Sequence, residues 1–173
     1  MDSDRSYARI TRTDLRRLKR LADEDREDFF SRHPEWALLY RKRMLCIALC
    51  GSGALHYLNG ITGLREFEVW TFYADHAEAT FPFQRVTHTD YGESKFGRAP
   101  DAPDSYAGRR VALQGRSIDA LPSDDALEAV QRYLKAGATP TARELASKAV
   151  VMLDPEALLG LEAWPSLVLP PRR

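Results

Sequence analysis

Cysteine is almost absent from this chain: Cys46 and Cys50 are the only two in 173 residues. Four residues apart on one strand, their Cα atoms would stand about 13 Å apart, beyond disulfide reach. Buried thiols are therefore expected. Net charge is also absent, with 25 Lys and Arg against 25 Asp and Glu. No global field marks the chain for nucleic acid or a membrane. No apolar run approaches membrane length and no apolar signal segment opens the sequence, so a cytoplasmic protein without a membrane partner is expected. The glycines form no Gly-Lys-Ser/Thr phosphate loop and no dinucleotide fingerprint, because His56 stands where the third Gly of the latter belongs. No nucleophile-elbow motif supports Ser/His/Asp chemistry. His33, His76 and His88 have no metal-ligand spacing with one another or with the cysteines, which argues against structural zinc.

What is present is a length sufficient for one core, with 44% apolar and 29% charged residues, ordinary values for a globular domain. Charge is uneven: residues 1–43 hold twelve Lys or Arg against nine acids, whereas residues 62–78 hold one Arg against four acids. The sequence predicts a polar lead-in over 1–12, one domain over 13–164 beginning with two helices, and a Pro-rich tail over 165–173. Thr13 or Asp14 is placed to cap the first helix, to about Ser31, with Leu15, Leu18, Ala22 and Phe29 on its apolar stripe. Arg16, Arg17, Lys19 and Arg20 lie mostly off that stripe, as a solvated face or as contacts for RNA phosphates. Pro34 suits the first turn of a second helix, to about Arg43.

The run LCIALC over 45–50 reads as a strand buried on both faces. Gly51-Ser52-Gly53 breaks it, a short helix over 54–58 follows, and Asn59-Gly60 stops that helix. FEVWTFYA over 67–74 is a second strand, rich in aromatic and β-branched residues. Residues 75–108 lose periodicity; a short strand around Phe81 and Val86 is possible, and a connection this long is functional or partly disordered. A strand over 109–115, helices over about 124–136 and 139–148, and a strand over 149–153 complete the pattern.

Two features carry chemistry. A Gly-rich turn between strand and helix presents backbone N–H groups and a positive helix end, the physical basis of phosphate binding. Alternation places Glu66 and Glu68 on one strand face with Trp70 and Phe72, about 7 Å apart at Cα. Two carboxylates so placed can converge on one cation. Plain readings of the same residues are a tight turn and a solvent-facing edge.

Ser52, thirteen intervening residues, then Glu-Phe-Glu resembles the nucleotidyltransferase superfamily, with the DNA polymerase beta type of fold. More narrowly, GALHYLNG, G-x-x-x-F-x-VWTFYA, SKFGR, GRRV and KAVVMLDP resemble shared phrases of a group of small bacterial proteins of that fold. The resemblance implies an α/β (α+β) domain: a small mixed sheet flanked by helices. It implies a metal-dependent enzyme that transfers a nucleoside monophosphate from a nucleoside triphosphate to an acceptor hydroxyl on RNA or protein. Glu66 and Glu68 would hold Mg2+ as the catalytic acids. Gly51, Ser52, Gly53, Lys95, Arg98 and Arg110 would bind the nucleotide. In the family a third acid on a neighbouring strand completes the site and can take the acceptor's proton. Here that strand reads RRVALQ over 109–114, with Ala112 where Asp is expected. Ala neither binds metal nor accepts a proton, and only folding could bring Asp90 or Asp119 in instead. The alternative is a degenerate module that binds nucleotide or a partner without turnover.

Overall fold

The computed structural model describes residues 4–82 and 85–165. Its first helix, α1 (Arg12–Arg32), buries Leu15, Leu18, Ala22, Phe29 and Phe30, so the predicted stripe is the docked face. The cap is Thr11, two residues before Thr13 and three before Asp14, the predicted candidates. Its Oγ1 accepts from the Asp14 N–H while the Asp14 carboxylate accepts from the Thr11 N–H, a reciprocal box that satisfies two orphan donors. The second helix, α2 (Pro34–Tyr40), has Pro34 in its first turn as the sequence implies but stops short of Arg43.

Strand β1 (Met44–Cys50) leads into α3 (Gly51–Asn59), which Gly60 ends in the left-handed conformation, φ 70°. Strand β2 is Phe67–Ala74, β3 Val86–Asp90 and β4 Arg110–Ile118. Helices α4 (Ala126–Ala136) and α5 (Pro140–Ala146) precede β5 (Ala149–Asp154). A 3-10 turn over Glu156–Leu158 and β6 (Glu162–Trp164), neither anticipated, complete the described chain. The fold is thus mixed α and β, as expected. The predicted tail beyond Pro165 lies outside the described residues.

The strands form one six-stranded sheet in the order β3-β4-β2-β1-β5-β6. Only β2 and β4 run parallel; every other neighbouring pair is antiparallel. The uniformly apolar β1 is interior, because both its faces are covered. On one face Ile47, Leu49, Val69, Leu113 and Val151 pack with Leu15 and Leu18 of α1 and Ala54 of α3. On the other, Ala48, Cys50, Trp70, Phe72 and Met152 pack with Ala129, Val130 and Leu134 of α4 and Leu145 of α5. Cys46 and Cys50 are buried free thiols. Among the described residues no helix is long and apolar enough to cross a membrane.

Two segments that the sequence leaves without regular structure are tied down by polar contacts. The polar lead-in is docked: Ser6 pairs with Leu64 through both backbone bonds, and Arg109 donates to the Asp4 carbonyl. Residues 90–108 of the long connection are likewise held by their own polar groups. Asp90 accepts from the N–H groups of Gly92, Ala107 and Gly108, and Arg98 donates to the carbonyls of Ala102, Pro103 and Tyr106. Tyr91 and Phe96 then close on Phe67 as an aromatic trio. Side chains of Asp and Arg supply the partners that backbone in a loop otherwise lacks.

Candidate functional site

Sheet pairing assembles a pocket at the C-terminal end of β1. Gly51, with φ +67°, turns the chain from β1 into α3 in a conformation that disfavours a side chain. A Cβ on Gly51 would stand 2.7 Å from Glu68 Oε2, so the glycine also makes room for that carboxylate. The Glu68 side chain reaches this point because Cys50 and Glu68 are cross-strand partners. On the other side of β1, Cys50 opposes Val150 and Gly51 bridges Ala149. Continuing that antiparallel register brings Lys148 toward Ser52.

The result is a pocket of about 230 Å³ lined by Ser52, Glu66, Glu68, Lys148, Arg5 and Arg65. Ser52 of the Gly-Ser turn and the glutamate pair therefore share one hollow. Arg5 is fixed by donating to the Gly63 carbonyl at 3.0 Å. Arg65 is exposed and stands 3.7 Å from Asp101. Three cations thus meet two carboxylates, and the pocket suits a ligand that is itself anionic.

Burial holds the Glu68 carboxyl above its ordinary value of 4.5. The hydrogen bond from Trp70 Nε1 to Glu68 Oε1, 3.0 Å, opposes burial, and so does the charge of Lys148. Glu144 and Glu66 reinforce it. A carboxylate poised this way gains from a cation that replaces its lost water.

The remaining predicted residues are placed elsewhere. Gly53 is buried, and its missing side chain accommodates Leu49 and Leu64, so it packs α3 onto the sheet. Lys95 pairs with Asp14 at 2.9 Å on the α1 side. Arg98 is spent on loop carbonyls, and Arg110 donates to the Asp101 carbonyl at 3.3 Å. None of these four lines the pocket. His56 is buried, with Nδ1 2.6 Å from the Thr62 carbonyl and Nε2 2.6 Å from the Ala8 carbonyl; it ties α3 to the N-terminal segment. Sequence reasoning missed Arg5, Arg65 and Lys148 as site residues. Lys148 did carry a signal, as the first residue of KAVVMLDP; Arg5 carried none.

Ala112 is the in-register partner of Glu68 in the parallel β2–β4 pairing and is buried. The position expected to carry the third acid is thus adjacent to Glu68 and holds a methyl group. Neither Asp90 nor Asp119 takes its place, and the strongest further carboxylate acting on Glu68 is that of Glu144 on α5. Asp90 is occupied by backbone N–H groups, and Asp119 lines a separate pocket with Arg132 and Tyr133. Among the described residues no three His, Cys, Asp or Glu side chains gather closely enough to hold a metal ion. Magnesium is commonly met by only one or two carboxylates when substrate phosphates supply further oxygens. The donor set of Glu66 and Glu68 therefore fits an ion that arrives with a nucleotide, and it falls short of a resident two-metal centre. No family model matches this chain, and no curated protein or solved structure matches it.

Proposed function

We propose that this pocket binds a nucleoside triphosphate with its magnesium ion and does so without turnover, as a nucleotidyltransferase-like module that has lost the catalytic acid. The observation that carries the reading is the Glu68–Ala112 register. A third acid beside Glu68 would add both a metal ligand and a proton acceptor, each worth orders of magnitude in rate. With Ala112 in that place, binding groups remain and the base is missing.

The roles follow from charge and placement. Lys148 and Arg5 face the phosphate chain, with the Ser52 hydroxyl as a further donor. Glu66 and Glu68 face the magnesium ion, which when bound supplies positive charge that screens the phosphates from both carboxylates. The free pocket holds two like charges close together, so nucleotide without magnesium is expected to bind poorly. The convergence of Ser52 with both glutamates favours the competing reading, transfer of a nucleoside monophosphate to RNA or protein.

Calorimetric titration with each of the four ribonucleoside triphosphates, with and without magnesium, tests the binding. The expected result is magnesium-dependent binding that weakens in Glu68→Gln and Lys148→Gln. A parallel assay follows pyrophosphate release with RNA and protein acceptors and should stay at background. Release that Glu68→Gln abolishes would establish the transferase instead; absence of binding to all four nucleotides would remove both readings.

A further inference from the structure

The opposite face of the sheet carries a second and larger pocket, of about 350 Å³, where α1 meets the loop after β3. Arg16, Arg17 and Arg20 of α1 line it, with Tyr91 and Ser94 facing them and Thr13 and Asp14 beside the first turn. Arg16 and Arg20 are one helical turn apart with Arg17 adjacent, so three guanidinium groups border one concavity.

The nearby acids are mostly committed elsewhere. Asp14 accepts from the Tyr91 hydroxyl at 2.7 Å, from the Thr11 N–H and hydroxyl, and from Lys95. Burial raises its carboxyl, but these bonds together outweigh burial and hold it below the ordinary value. Glu156 takes Arg16 at 2.8 Å. Asp90 lies within the field of Arg17 but spends its oxygens on three backbone N–H groups. Arg17 and Arg20 have no ion pair among the described residues.

Arg17 is also held in place. Its guanidinium lies over the Tyr91 ring, 4.8 Å from the centroid, and Gly92, with φ +94°, leaves space for its Nη2. Its Nε is buried without a hydrogen-bond partner among the described residues. Ser94 Oγ accepts from the Phe96 N–H at 3.1 Å, which leaves its own proton to donate. Clustered guanidinium groups repel one another, and an anion that bridges them removes that cost. A stacked, preorganised arginine beside hydroxyl donors is an arrangement suited to phosphate oxygens.

We propose that this pocket binds the phosphate groups of a small phosphorylated ligand, with Arg17 and Arg20 as its principal contacts. The volume is of the scale that small-molecule sites use. Asp14 in the lining and Glu156 on Arg16 interrupt the positive charge, so the cluster is short, as a small phosphorylated ligand needs.

The probe is inorganic pyrophosphate, titrated into the whole chain carrying Lys148→Gln so that the pocket of Glu66 and Glu68 contributes little. Binding should persist in that background and fall at least about tenfold when Arg20→Gln is added, with a further fall for Arg17→Gln. Arg20 is exposed, so its substitution leaves the fold intact; an unchanged melting temperature checks this. Loss of all binding on Lys148→Gln alone would overturn the proposal while leaving the nucleotide reading standing. Binding indifferent to Arg20 and Arg17 would overturn it too. So would a single-stranded oligoribonucleotide that binds more tightly than pyrophosphate, with steep salt dependence.

Discussion

Gly51 and Glu68 occupy complementary space: a Cβ on Gly51 would stand 2.7 Å from Glu68 Oε2. Gly51 therefore cannot gain a side chain while Glu68 keeps its place. Gly51→Ala forces an L side chain into φ +67° and pushes the carboxylate aside. It should cost about 1 to 3 kcal/mol in urea unfolding and weaken magnesium-nucleotide binding at the same time. Destabilisation with unaltered affinity would show that Glu68 does not face the ligand.

Glu68 also sets a pH dependence. Burial holds its folded value above 4.5, so the folded chain retains this proton more tightly than the unfolded one. The stabilisation is complete below the unfolded value and is lost as pH rises through the raised folded value. Glu68→Gln cannot ionise and can still accept from Trp70 Nε1. Its melting temperature should exceed that of the natural chain by a margin that grows from about pH 4 to about pH 7, while nucleotide affinity falls. A margin independent of pH would mean that the carboxyl is not perturbed.

Ala112→Asp places a second acid beside Glu68. Without metal the added buried charge should lower stability by about 2 kcal/mol or more, because it has a like charge as neighbour and no partner. Magnesium should recover much of that loss. Thermal melts with and without magnesium read this directly, and an equal metal shift in Ala112→Asp and the natural chain would refute a shared cation position.

His56 holds its two ring nitrogens 2.6 Å from the Thr62 and Ala8 carbonyl oxygens, which can only accept, so the neutral ring donates to one of them at a time. His56→Leu leaves the Thr62 and Ala8 oxygens without this donor and should cost about 2 kcal/mol or more. The amides of Ser6 and Leu64, which pair across the same junction, should exchange hydrogen faster. If their protection is unaffected, the N-terminal segment is held by other contacts.

The local reading succeeded where one residue pattern dominates. The unbroken apolar run of β1, the aromatic and β-branched β2 bounded as 67–74, and the stop of α3 at Gly60 all follow from short-range chemistry. Capping was less legible: Thr11, Thr13 and Asp14 are all eligible, and only the reciprocal bond between Thr11 and Asp14 selects among them. The short β6 has too few residues for a period, and it exists because β5 offers it an edge. Lys95, Arg98 and Arg110 looked like phosphate contacts because a cation's partner is invisible in sequence. Folding gave them Asp14 and backbone carbonyls instead.

Sequence alone determined that a Gly-Ser turn follows a buried strand and that two glutamates alternate onto one strand face. These are properties of neighbours a few residues apart, fixed by backbone geometry. Tertiary structure decided that Ala112 lies beside Glu68, that Lys148 and Arg5 join the same hollow, and that three arginines of α1 border a separate one. Those outcomes depend on strand register and on which buried donors found acceptors, and both are settled only when distant segments pack together.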